Sequence, residues 1–200
     1  MKWLGAKTRM TQIFTTTGET YAITLLKIFK GFIIQQNFRL NTLTVGYQFK
    51  SPIKCKKPNL YHFEKFNFIP FKLIKTYKIK KFQKFSLGQI IDSTNFKISE
   101  VISVRGRTIG KGFSGTCKRY NFNSGPLTHG SKNHRKPGSI GQGSTPGRVF
   151  PGKKLAGNLG NNYSTLFNLP IIALNYTENF LIIKGITMGT LKTNLLINKI

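Results

Sequence analysis

Residues 105–163 read RGRTIGKGFSGTCKRYNFNSGPLTHGSKNHRKPGSIGQGSTPGRVFPGKKLAGNLGNNY. The stretch has no Asp or Glu, yet it carries eleven basic residues: Arg105, Arg107, Lys111, Lys118, Arg119, Lys132, Arg135, Lys136, Arg148, Lys153 and Lys154. It also holds 13 of the 20 glycines of the chain. Its apolar residues come singly or in pairs, as at Val149-Phe150 and Leu155-Ala156. Prolines at 126, 137, 146 and 151, with the glycines, exclude regular ladders over most of it. Such a segment cannot neutralise itself and has little apolar surface to bury, so it needs a polyanion to become ordered.

The flanks read as β. Thr11 to Phe14 leads into a turn at Thr17-Gly18-Glu19, and Tyr21 to Phe29 follows, rich in β-branched and large apolar residues. Thr42 to Phe49, Leu87 to Ile91 and Val101 to Val104 continue the pattern. Beyond the glycine-rich stretch, Pro170 to Leu174 and Phe180 to Lys184 flank Asn175 to Asn179 as a hairpin, and Leu195 to Ile200 closes the series. No window sustains a 3.6-residue apolar stripe, so long helices are not expected. The expected fold class is mainly β. Residues 1–104 and 164–200 form a small antiparallel barrel or sandwich, interrupted by one long Gly-rich basic loop extension, 105–163.

The whole chain of 200 residues has a formal net charge of +27. Residues 1–104 carry 18 basic and 4 acidic side chains, while residues 164–200 carry 3 and 1. A free protein of this balance repels itself; against phosphates the same charge becomes favourable, so nucleic acid is the expected partner. A second basic cluster, Phe71 to Phe85 (FKLIKTYKIKKFQKF), interleaves lysines with Phe71, Tyr77, Phe82 and Phe85. It fits either an RNA-stacking surface or a strand with a solvated lysine face.

Chemistry-bearing motifs fail one by one. Gly106 to Gly112 has three residues between Gly106 and Gly110 where a phosphate-binding loop needs four, and Gly112 stands where the metal-binding Ser or Thr belongs. His129 and His134 have no carboxylate nearby, so neither a metal site nor a His-based triad is expected; both suit contacts to phosphate or sugar. The acids Glu19, Glu64, Asp92, Glu100 and Glu178 are scattered singly. Cys55 and Cys117 have no CxxC partner and read as reduced thiols. No apolar run reaches the ~20 residues of a membrane span, and Met1 to Gly5 has no signal-peptide core. No catalytic residue, metal, cofactor, small-molecule substrate or membrane partner is expected.

The ordered series within 105–163 is far more specific. Gly110-Lys111-Gly112-Phe113-Ser114-Gly115-Thr116 runs into Lys118-Arg119-Tyr120-Asn121-Phe122. Thr128-His129-Gly130-Ser131, His134-Arg135 and Pro137-Gly138-Ser139-Ile140-Gly141-Gln142 follow, then Thr145-Pro146-Gly147-Arg148-Val149-Phe150, Gly152 to Gly157 and Gly160-Asn161. This series resembles the universal large-subunit ribosomal protein L-three family in its bacterial and organellar form. Leu4-Gly5, Met10 to Phe14, Leu87-Gly88-Gln89 and Leu181 to Gly185 extend the resemblance along nearly the whole chain.

The resemblance implies a translation-protein-type β-barrel with a loop that threads large-subunit rRNA toward the peptidyl-transferase centre. It implies direct rRNA binding, a role in early subunit assembly, neighbouring large-subunit proteins as partners, and no enzymatic activity. The implied rRNA-binding residues are the eleven cations above with His129 and His134. In bacterial members a glutamine at the loop tip can be methylated, and Gln142 in SIGQ matches it. Two departures stand out: Arg9 replaces the usual Gly before Met10-Thr11, and Lys50 to Phe85 is the least family-like region. Lysines outnumber arginines 25 to 7, as an AT-rich genome produces. Together with the bacterial-type motifs, this points to an organellar ribosome, plastid or mitochondrial.

A free-standing RNA chaperone or polyanion-binding module is the alternative; it shares the charge but not the ordered loop series. In the RNA-free protein, amides from about Gly106 to Asn161 are expected to exchange fast while the barrel is protected. Strong protection throughout that loop would refute this.

Overall fold

The computed structural model describes residues 2–79 and 85–200. Twelve strands follow in chain order: β1 (Lys2–Phe14), β2 (Thr20–Ile28), β3 (Gly31–Asn37), β4 (Thr42–Phe49), β5 (Phe71–Lys78), β6 (Ile90–Ile91), β7 (Val101–Arg107), β8 (Phe113–Ser114), β9 (Gly157–Asn158), β10 (Tyr163–Asn175), β11 (Phe180–Lys184) and β12 (Asn194–Lys199). Two short helices, α1 (Lys57–Glu64) and α2 (Thr116–Tyr120), complete the regular elements. The chain is mainly β, and it divides into two compact units: the chain up to Arg107 with everything from Tyr163 on, and Thr108–Asn162.

In the first unit six strands close an antiparallel barrel in the order β1-β12-β7-β10-β11-β2. Closure removes the exposed edges that an open sheet would leave. A four-stranded sheet, β5-β4-β3-β6, accompanies it. A period of two governs most of β7: Ile102, Val104 and Gly106 are buried while Val101, Arg105 and Arg107 are exposed, and Ser103 on the outward face is buried as well, its hydroxyl donating to the Asn198 carbonyl. Ile102 and Val104 join Leu26, Ile171, Leu181, Ile183, Leu195 and Ile197 in one core, and Ile33, Leu43, Val45, Tyr47 and Tyr77 of the sheet belong to the same cluster. Trp3 meets Phe96 in that core with ring centroids 4.7 Å apart. The Tyr47 and Tyr77 hydroxyls lie 3.1 Å apart, and burial pushes both phenols above their ordinary pKa. A second cluster, Ile34, Phe63 and Phe71, packs α1 onto the sheet.

Several sequence expectations correspond to elements. Thr42–Phe49 is β4, and the Asn175 to Asn179 turn joins β10 to β11. Three expectations differ. β1 begins at Lys2 rather than Thr11, because its first residues pair with β12 at the far end of the chain. β3, Gly31–Asn37, has no counterpart among the expected strands. The chain passes from the barrel strand β2 to the sheet strand β3 across only Phe29 and Lys30, with no hairpin between them, so no turn motif marks the boundary. Of Leu87 to Ile91 only Ile90–Ile91 is strand; Gly88 takes a φ of +80° and the chain turns there.

The Phe71 to Phe85 cluster resolves in part. Phe71–Lys78 is β5, with Lys72, Lys75 and Lys78 exposed. Phe71 and Tyr77 are buried, which removes them from base stacking and favours the solvated-face reading for this part. Lys80, Lys81, Phe82 and Lys84 lie outside the described residues.

Gly46 on β4 shows how tightly the sheet is packed. A Cβ there would sit 2.5 Å from the Phe71 ring and 2.7 Å from Ile34 Cδ1. Because Phe71 is itself held by Phe49, Phe32 and Phe63, the ring cannot simply step aside. Gly46→Ala is expected to destabilise the protein by about 1–3 kcal/mol in urea unfolding, the usual cost of overpacking. Gly143→Ala, with nothing within 4 Å, is expected to leave stability unchanged.

Candidate nucleic-acid interface

Thr108–Asn162 starts as a two-stranded ribbon. Thr108 N–H donates to the Asn162 carbonyl (2.9 Å), Lys111 N–H to Leu159 (2.8 Å) and Leu159 N–H to Gly112 (3.0 Å). β8 and β9 continue the ladder, with Phe113 opposite Asn158 and Ser114 opposite Gly157. α2 follows, ended by Asn121 in the left-handed conformation, φ +58°. From Asn121 to Ala156 the chain forms no strand or helix, as its glycines and prolines dictate.

Of the thirteen residues the sequence singles out, twelve are exposed: Arg105, Arg107, Lys111, Lys118, His129, Lys132, His134, Arg135, Lys136, Arg148, Lys153 and Lys154. The exception is Arg119, which is half-buried. Its Nη1 donates to the Leu155 carbonyl at 2.8 Å, and its guanidinium lies 5.0 Å from the Tyr120 ring centroid. A Cβ on Gly157 would come within 2.6 Å of the same guanidinium, so only glycine permits this approach. Arg119 therefore ties α2 to the returning arm and keeps only part of its fork for an outside partner. Arg105 and Arg107 are strand residues of β7 in the first unit rather than loop residues.

His134 is also engaged. Its Nδ1–H donates to the Pro126 carbonyl at 2.9 Å, and Gly125 N–H donates to the His134 carbonyl at 2.8 Å. The pair closes a small loop and leaves Nε2 free of that bond. His129 sits at φ +58° in an exposed turn. Gln142 is exposed.

The structure adds three aromatic residues that charge counting overlooked. Arg105 and Arg107 point to one face of β7 by the period of two, and their guanidinium carbons lie 5.2 and 5.3 Å from the Tyr163 ring on β10. Tyr163 pairs opposite Arg107, which the sequence alone does not reveal. Phe113, 79% exposed, and Phe122 line a cleft of about 540 Å³ with Lys118 and Arg135. Exposed rings beside cations suit stacking on unpaired bases, with phosphates held by the charges. The Gly-Phe and Asn-Phe steps around α2 were the available signal, but exposure could not be read from them.

Comparison with known proteins is consistent along the chain. The family model described as Ribosomal protein L3 matches residues 34–193. The chain is 43% identical over 190 residues to the large ribosomal subunit protein uL3c of Phaeodactylum tricornutum, covering 93% of this chain and 92% of that one. It is 43% identical over 192 residues to uL3c of Guillardia theta, covering 93% of each. It is 40% identical over 190 residues to the large ribosomal subunit protein uL3 of Nostoc sp., covering 93% and 90%. The barrel, the acid-free second unit and these matches over nearly the full length lead to one statement: the chain belongs to the ribosomal protein L3 family, whose members are structural components of the ribosome rather than enzymes.

Proposed function

We propose that this chain is a structural constituent of the large subunit of a plastid ribosome and binds large-subunit rRNA directly. Its barrel is of the translation-protein type, and Thr108–Asn162, inserted between β7 and β10, is the loop that threads rRNA toward the peptidyl-transferase centre. Binding occurs early in subunit assembly, beside neighbouring large-subunit proteins. Gln142 is the candidate methylation site. The relatives named uL3c, the chloroplast form, support the plastid over the mitochondrion.

One observation carries the reading. Thr108–Asn162 presents eight exposed cations, has no carboxylate, and contains few buried apolar residues of its own. A unit of that kind gains order from phosphates rather than from a core. The short ribbon and the Arg119 contact hold its two arms, which lowers the entropy lost on docking. Glycines let the backbone approach RNA closely. A free-standing RNA chaperone would share the charge, but not the family's motif series over 93% of the chain.

With about half of the eleven cations on phosphate, affinity for an rRNA fragment is expected to fall with salt at a log–log slope of about −4. Arg148→Ala is expected to cost about 1–3 kcal/mol where the guanidinium meets a base, or to reduce the slope by about 1 where it meets phosphate. Its melting temperature should match that of the unaltered protein; a parallel loss of thermal stability would count against the assignment. In cell extract the protein is expected to sediment with large subunits through a high-salt wash. A low-mass free pool alone would overturn the ribosomal role.

A further inference from the structure

We propose that Lys7 is a positioning residue: it clamps residues 185–193 across the mouth of the barrel, and that segment holds Arg105 and Arg107 in place for rRNA. The proposal rests on the function above in taking rRNA as the ligand of the two arginines. Residues 185–193 join β11 to β12, which are not neighbours in the barrel, so the connection has to cross the barrel end. It is tied down on both sides. At its start, Gly185 N–H donates to the Ala22 carbonyl of β2 at 2.8 Å, and the Thr24 hydroxyl donates to the Gly185 carbonyl at 2.7 Å. At its end, Lys192 N–H donates to the Lys7 carbonyl of β1 at 2.7 Å, and Lys7 N–H donates to the Thr193 carbonyl at 3.2 Å.

The middle of the segment is held by the Lys7 side chain. Lys7 stands opposite Leu26, so it shares the core face of the wall with a buried leucine. Its side chain is buried too, and its Nζ donates to the carbonyls of Thr187 (3.0 Å) and Gly189 (3.3 Å). No carboxylate pairs with it among the described residues. A buried ammonium without a carboxylate is costly, and an apolar side chain would line the barrel without that cost. What the ammonium adds is a grip on two carbonyls that lie outside the strand ladders. Thr187 is itself buried, and its hydroxyl has no partner among the described residues, so the bond from Lys7 to its carbonyl fixes this turn.

The clamped segment bears on the end of β7. A Cβ on Gly106 would lie 2.4 Å from Leu195 Cδ2 and 3.2 Å from Met188 Cβ. A Cβ on Gly189 would lie 2.9 Å from the Arg107 carbonyl oxygen, and Gly189 takes a φ of +77°. Glycine at both positions lets the segment and the strand touch. Met188 and Gly189 therefore press on the backbone of Gly106 and Arg107 from the barrel mouth. Arg105 and Arg107 flank Gly106 and turn outward, 5.2 and 5.3 Å from the Tyr163 ring. A strand end supported in this way keeps its two guanidinium groups in one orientation before the ligand arrives, which lowers the entropy lost on binding. The coupling runs from a buried ammonium, through two carbonyls and two glycine contacts, to a pair of exposed cations.

The full chain carrying K7M tests the clamp, since Met keeps the apolar stem and removes the ammonium. Amides of residues 187–193 are expected to exchange about tenfold faster, while those of β2 and β11 keep their protection. Affinity for a large-subunit rRNA fragment is expected to fall about tenfold. R105Q/R107Q should also weaken binding, and K7M added to it should cost little more, because Lys7 acts through the same two arginines. K7M added to R148A should cost its full factor. A K7M loss that is equally large with and without the two arginines would overturn the positioning role. So would unchanged rRNA affinity in K7M alongside faster exchange at 187–193. G189A leaves Lys7 intact but strains the φ and drives a Cβ against the Arg107 carbonyl. It should reproduce the K7M pattern, and it decides the matter where K7M does not fold; G189A binding rRNA like the unaltered chain would overturn the proposal. Failure of the unaltered chain to bind the fragment would instead remove the ribosomal reading, while the exchange difference at 187–193 would still test the clamp itself.

Discussion

Pairing of β7 with β10 is the constraint on which the other features depend. It sets Arg107 opposite Tyr163 and Gly106 opposite Ser164, so the chain leaves the barrel for Thr108–Asn162 and returns to it on adjacent strands. Closing a long connection costs entropy that grows only slowly with its length. The barrel meets that cost through the burial of Ile102, Val104, Leu195 and Ile197, and the intervening unit needs no large core of its own. Its composition is therefore free to serve a partner. Glycine, proline and cations can occupy positions that a self-supporting domain would give to Leu, Ile and Val.

Charge and apolar groups are segregated by the same strand geometry. On β7 the buried residues alternate with Arg105 and Arg107, so the barrel wall itself presents cations outward, against the Tyr163 ring. The barrel and the four-stranded sheet share one apolar cluster, which fixes the sheet to the barrel within the first unit. Lysines excluded from that cluster stand at its border, as Lys72, Lys75 and Lys78 do on β5. A chain with 32 basic and 5 acidic residues cannot pair them internally. The stable arrangement spreads them over the surface and leaves their neutralisation to phosphate.

Legibility differed by type of feature. β4, β11 and the turn between β10 and β11 could be read because alternation and turn residues coincide in short range. The start of β1 and the whole of β3 could not, since β1 is completed by β12 at the opposite end of the chain and β3 follows β2 without a turn. The candidate cations were legible as a set, because absence of acids is a property of composition. Their individual roles were not. Arg119 and His134 look like their neighbours in sequence, yet each is bound to a backbone carbonyl of its own unit, at Leu155 and Pro126.

By itself, the sequence determined the mainly β character, the long basic interruption and the family, since periodicity, charge and an ordered motif series are local or additive properties. Tertiary structure alone decided which strands close the barrel, which cations face outward, and that Arg105 and Arg107 meet the Tyr163 ring. Tyr163 lies far along the chain from both arginines. Only long-range pairing, burial and register bring them together, and none of these is a property of any one segment.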